Sequence, residues 1–174
     1  MLTLIETPPQ RRPDIRECAE PQDLLLRALK THWQDLVAAG SGRLPALDAI
    51  RLAAMPQLLS HLLLVDVEPP APETAPVYRI GRLGSAQRVM YGGDFAGCTL
   101  EEVLGDDRAW MMRHAFDEVR RRRGPVGYAG RVAWWPGKSW ITFESIQMPL
   151  AGDGTRIDMI LGAAVFIHGG RKRG

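Results

Sequence analysis

Residues 125–167 constrain this chain more than any other stretch. They hold three runs rich in branched and aromatic residues, divided by Pro136-Gly137 and Asp153-Gly154. Proline supplies the fixed φ, and glycine the positive φ, that a type II turn requires. Asp-Gly is a frequent hairpin dipeptide, here inside a longer loop. Residues 126–135, 140–150 and 156–167 are therefore predicted as three consecutive antiparallel strands. In the middle one, Ile141 and Phe143 alternate with Thr142 and Glu144, the pattern of a sheet buried on one face and wet on the other. The last, MILGAAVFI, is almost wholly apolar and belongs at the sheet's centre. A meander of this kind argues for a sensing or docking surface more than for catalysis.

Upstream, residues 61–67 (HLLLVDV) and 77–83 read as two more strands, joined by the proline-rich loop 68–76. Residues 43–58 read as a short helix and a turn at Met55-Pro56. Between the strand groups lies a helical insertion, 84–124. It contains a short helix at 85–91 and a second capped by Thr99 with Glu102 three residues on. A longer helix starts at Asp106-Asp107 and ends in Arg120, Arg121, Arg122 and Arg123, charges that complement the helix dipole at both ends. Ala109, Met112, Phe116 and Val119 form its inward stripe. The predicted fold class is α+β, a five-stranded antiparallel sheet with helices over one face.

At 174 residues and 45% hydrophobic content, one domain with its own core is expected. Residues 1–20, with three prolines, read as a flexible arm. Residues 21–40 read as an amphipathic helix with Leu25, Leu29, Trp33 and Leu36 on one stripe. That stripe either caps the chain's own core or pairs with a partner helix. Residues 43–167 form the main domain, and 168–174 a basic tail. No run of about 20 apolar residues is present, so no membrane span is expected. The start also lacks the features of a signal peptide. Cys18 and Cys98 make no disulfide framework, which points to a reducing, cytoplasmic setting.

The order strand-strand-helices-strand-strand-strand is that of the PAS sensory domain. Three stretches, GRLPALDAIRLAAMPQLLSHLLLVDVE, YRIGRLGSAQRVMYGGDFAGCTLEEVL and the run from Trp134 through PLAGDGTRIDMILGAAVF, carry the resemblance. They span roughly residues 42–166 and resemble in particular an alphaproteobacterial-type PAS family of unknown function. The resemblance implies a cytoplasmic regulatory module of bacterial signalling that binds a small ligand, a protein partner or both, often as a homodimer, without chemistry of its own. The alternative is a pure interaction or adaptor module with no natural small ligand. The resemblance places the cleft between sheet and helices, with Tyr78, Ile80, Met90, Tyr91, Phe95, Met112, Phe116 and Phe143 as candidate lining or as core.

The cofactor stays unknown. Flavin photosensors of this fold carry an Asn-Cys-Arg-Phe-type motif, and Gly97-Cys98-Thr99-Leu100 does not match it. Haem-binding members use a histidine on the long helix, but His114 falls off the inward stripe. His32, His61, His114 and His168 show no metal-ligand spacing. Trp134, Trp135 and Trp140 crowd one hairpin tip, where aromatics serve either as packing or as a partner contact; Trp135 and Trp140 are the interface candidates. The arginine run and Arg171, Lys172 and Arg173 come without any nucleic-acid-reading motif, so a solvated helix end and tail are expected. Glu144 and Asp158 lie on strands without a nucleophile-base pair, and residues 81–84 are no phosphate loop.

Overall fold

The structure, a computed structural model, describes residues 14–70, 74–135 and 137–168. Six strands form one antiparallel sheet: β1 (Ile15–Glu17), β2 (Leu62–Glu68), β3 (Val77–Leu83), β4 (Val126–Arg131), β5 (Ile141–Leu150) and β6 (Met159–His168). Their order across the sheet is β1-β4-β5-β6-β2-β3, so the apolar β6 does occupy an inner position. The helices are α1 (Leu24–Ala39), α2 (Ser85–Tyr91), α3 (Leu100–Leu104) and α4 (Asp106–Arg122). Among the described residues, no helix is long and apolar enough to cross a membrane.

Two expectations about the sheet change. The sheet has six strands, because Ile15–Glu17, within the stretch read as a flexible arm, pairs with β4. Three residues carry too little pattern to be read as a strand alone; the pairing depends on β4, more than a hundred residues away. Gly127 permits the approach, since a Cβ there would sit 2.3 Å from the Cys18 carbonyl oxygen. Arg122, at the end of α4, grips Glu17 through two hydrogen bonds, one of 3.0 Å, and also holds Glu118.

The second change is that both faces of the sheet are covered. β5 shifts its apolar phase along its length. Ile141 and Phe143 face α2–α4, whereas Ile146, Met148 and Leu150 face the other way. There they meet α1 and three short 3-10 turns over Leu47–Ile50, Leu52–Ala54 and Pro56–His61, which replace the short helix expected at 43–58. Arg51, in the left-handed region at φ 53, and Pro56 break that segment up.

The position of α1 follows from its ends. Asp23 caps it by accepting from the Leu25 and Leu26 amides, so the helix begins after Pro21 rather than at it. The Glu144 carboxylate accepts from the Gln22 and Asp23 amides at 3.0 and 2.8 Å, an anion placed where the helix dipole favours one. The Trp33 indole N–H donates to the Pro149 carbonyl at 2.9 Å. Leu26 and Leu29 are fully buried and Trp33 nearly so; Leu25 and Leu36 pack beside them. Of the candidate interface stripe, Leu29 and Trp33 are spent on the chain's own core, and Leu25 and Leu36 are half-buried against it. The Thr99 capping box forms with Glu102, as its spacing predicts. Pro136 and residues 169–174 lie outside the described residues, as does most of the predicted arm.

Candidate functional site

The α4 face of the sheet is solid at one end and hollow at the other. At the solid end Tyr78, Ile80, Leu100, Leu104, Phe116 and Val119 interlock with exposures of 2% or less. Tyr78 meets Phe116 edge-on at 5.3 Å and donates to Asp117 at 2.5 Å. Burial and that carboxylate push the Tyr78 hydroxyl's pKa well up.

At the other end the sheet offers little to fill the space. Pairing sets Ser145 opposite Ala164 and Gln147 opposite Gly162. All four point toward α4, because Ile146, Met148, Leu161 and Ala163 take the alternate positions. Opposite them α4 presents Met111 and Ala115. The result is a cleft of about 630 Å³ walled by Tyr91, Trp134 and Phe143. Ile15 of β1 and Tyr128 of β4 line it too, while the exposed Trp110 and His114 stand at its rim.

Its polar groups are few and mostly engaged. Gln87, almost fully buried, donates to the His61 carbonyl at 2.7 Å. The Gln147 amide donates to Ser145 Oγ at 3.0 Å, and Ser145 faces the Tyr128 carbonyl at 3.4 Å. The Gln147 Oε1 is buried without a partner. Turning the amide over would leave its nitrogen in that position instead. The Tyr91 hydroxyl donates to Met112 Sδ at 3.1 Å, and burial raises its pKa. The Trp134 indole N–H faces that hydroxyl but makes no well-formed hydrogen bond. Trp134 itself stands edge-on to Phe143, with centroids 4.7 Å apart. Among the described residues no lysine, arginine, aspartate or glutamate lines the cleft.

Of the eight pocket candidates read from the sequence, Tyr91, Met112 and Phe143 line the cleft. Tyr78, Ile80, Met90 and Phe116 lie in the packed core and Phe95 rests against it. His114 is exposed, as its place off the packed stripe implies, yet it borders the cleft. The helix thus uses two faces: Ala109, Phe116 and Val119 for packing, Met111 and Ala115 for the cleft. Ser145, Gln147, Gly162 and Ala164 escaped sequence reading. The available signal was a glutamine and a Gly-Ala-Ala run inside strands that are otherwise large and apolar.

Cys98 does not line the cleft; its carbonyl accepts from the Ile80 amide at 2.8 Å. Among the described residues no group of three or more His, Cys, Asp or Glu is placed to hold a metal ion. At the hairpin tip, Trp134 is buried and Trp135 is half-buried, edge-on to Tyr91 with centroids 6.1 Å apart. Trp140 is 53% exposed. The arginine run is largely engaged within the chain: Arg121 and Arg122 hold Glu118, and Arg123 donates to the Thr155 carbonyl. Compared with known proteins, the chain matches no family model and no curated sequence.

Proposed function

We propose that this chain is a PAS-like sensory or regulatory module of bacterial signalling, and that its cleft beside α4 holds a small molecule. One observation carries the reading: a cleft of about 630 Å³ is left open in a well-packed sheet protein, with an unpartnered buried amide oxygen within it. Protein interiors are otherwise close-packed, and buried polar atoms almost always have partners. The volume lies in the range of small-molecule sites. The chain order supports the PAS-like part: β2 and β3, then α2–α4, then β4–β6, with β1 added in front.

The mechanism is a population shift. A molecule between α4 and the sheet favours one spacing of the two. Arg122 links the end of α4 to Glu17 on β1, so α4 and the edge strand respond together. A regulator, or a second copy of the chain, reads that edge in the cytoplasm. The module acts by contact, without catalysis of its own. Native mass spectrometry of protein from its own source, repeated after denaturation, tests the reading. A non-covalent mass lost on denaturation is expected. A bare protein from every growth condition contradicts it.

A second reading, a pure interaction module, draws on Trp140 and Ile167, each 53% exposed. Under it, Trp140→Ser converts a dimer to a monomer in sedimentation, while the first reading leaves the sedimentation unchanged.

A further inference from the structure

Resting on the reading of the cleft as a ligand site, we infer the class of ligand: an electrically neutral, flat, mostly apolar molecule with one hydrogen-bond donor and one acceptor. The first argument is charge. Among the described residues no aspartate, glutamate, lysine or arginine lines the cleft, and its one imidazole, His114, is exposed at the rim. Taking an ion out of water without a counter-charge costs several kcal/mol. An anion or cation therefore gains nothing from these walls to offset its lost hydration.

The second argument is shape. The floor at Gly162 and Ala164 is nearly free of side chains, and α4 faces it with Ala115 and the unbranched Met111 and Met112. Between them Tyr91, Trp134 and Phe143 present aromatic surface. A bare floor, an unbranched and adaptable roof and rings around the side form a slot, and aromatic rings gain most from a flat, polarisable guest. A branched guest of the same volume meets the floor and roof before it fills the length.

The third argument is polarity. Gln147 Oε1 has no protein donor, and the Trp134 N–H, on a side chain only 7% exposed, has only the poorly aligned Tyr91 hydroxyl before it. Each gains a well-formed hydrogen bond only from a group placed in the cleft, and leaving a buried donor or acceptor unmatched is costly. A guest with an N–H or O–H for Gln147 and an oxygen or ring nitrogen for Trp134 satisfies both. Carboxamides, lactams and azoles with both an N–H and a pyridine-type nitrogen carry that pair; hydrocarbons and carboxylates do not.

The test uses isosteric probes against full-length protein: naphthamide, its anionic counterpart naphthoate, and methylnaphthalene, with the neutral dye Nile red as a reporter of cleft occupancy. Naphthamide is expected to displace the dye at least about tenfold more tightly than naphthoate at neutral pH, a gap of about 1.4 kcal/mol. Gln147→Leu should weaken naphthamide about tenfold and leave methylnaphthalene unchanged. Ala164→Leu, which fills the slot, should remove the dye and all three probes. Gly162→Ala, whose methyl meets only ordinary contacts at 3.4 Å or more, is the milder substitute should that variant not fold. Naphthoate binding as tightly as naphthamide, or naphthamide indifferent to Gln147→Leu, overturns the ligand class while dye loss in Ala164→Leu upholds the cleft. Dye held equally by both proteins, or by neither, overturns the cleft reading itself.

Discussion

The two faces of the sheet are built from the same strands and finished differently. Against α1, β5 and β6 present Ile146, Met148, Leu150 and Leu161, and the helix returns Leu26, Leu29 and Trp33, all 4% exposed or less. Against α4, the alternate positions of those strands carry Ser145, Gln147, Gly162 and Ala164, and the helix stands over a void. A residue's parity in the strand thus decides whether it serves stability or a site. The filled face anchors the sheet so that the other face can remain open.

The largest effect should come from the filled face. Leu29→Ala removes a fully buried side chain that has little room to collapse and should cost about 2–5 kcal/mol in chemical denaturation. A cost under about 1 kcal/mol would place α1 off the core and reopen its stripe as an interface. Leu29→Asp, for the same reason, should fail to fold rather than give a soluble monomer.

Next comes Gly127→Ala, whose methyl would lie 2.3 Å from the Cys18 carbonyl oxygen and 3.1 Å from that of Ser145. β1 should peel from β4 at a cost of about 1–3 kcal/mol while the other five strands persist. Hydrogen exchange at the Cys18 amide, which donates to the Gly127 carbonyl at 2.8 Å, reports it. Unchanged protection would contradict the close approach.

On the open face the sign reverses. Ala164→Leu adds bulk where space exists and should change stability by less than about 1.5 kcal/mol, against the 1–3 kcal/mol typical of an overpacked core. Destabilisation as large as that of Leu29→Ala would mean the cleft is not open.

The smallest effect is a pH response. Arg121, and then Arg122, hold the Glu118 carboxyl down from 4.5 to about 2, and Arg122 also lowers Glu17. Groups depressed in the folded state stabilise it fully above their ordinary value, and that contribution fades as pH falls toward the folded one. Protection at β1 should therefore decline between about pH 4.5 and 2, ahead of β5 and β6. The groups are exposed, so the effect is modest. Substituting Glu17→Gln, which removes the β1 partner of Arg122, should remove most of it.

Local signals made much of the fold legible. The turn dipeptides, the alternation in β5, the apolar β6, the strand at residues 77–83 and the Thr99–Glu102 box each lie within a few residues of what they determine. β1 did not show because three residues gain their meaning only from a distant partner strand. The second covered face did not show because Ile141 and Phe143 announce one parity and Ile146, Met148 and Leu150 the other. The cleft was hardest to read, since it is made by side chains that are missing. Tyr91, Met112 and Phe143 have the size and chemistry that draw attention; Gly162 and Ala164 do not, yet they create the space those three surround.

The methionines allow the central claim to be tested without knowing the ligand. Met111 and Met112 line the cleft, and Met148 is fully buried on the filled face. Methionine-methyl NMR spectra would be compared for protein as purified from its source and for the same protein refolded free of small molecules. The account predicts that Met111 and Met112 shift between the two while Met148 stays in place. Superimposable spectra, or a Met148 shift as large as the others, would contradict it.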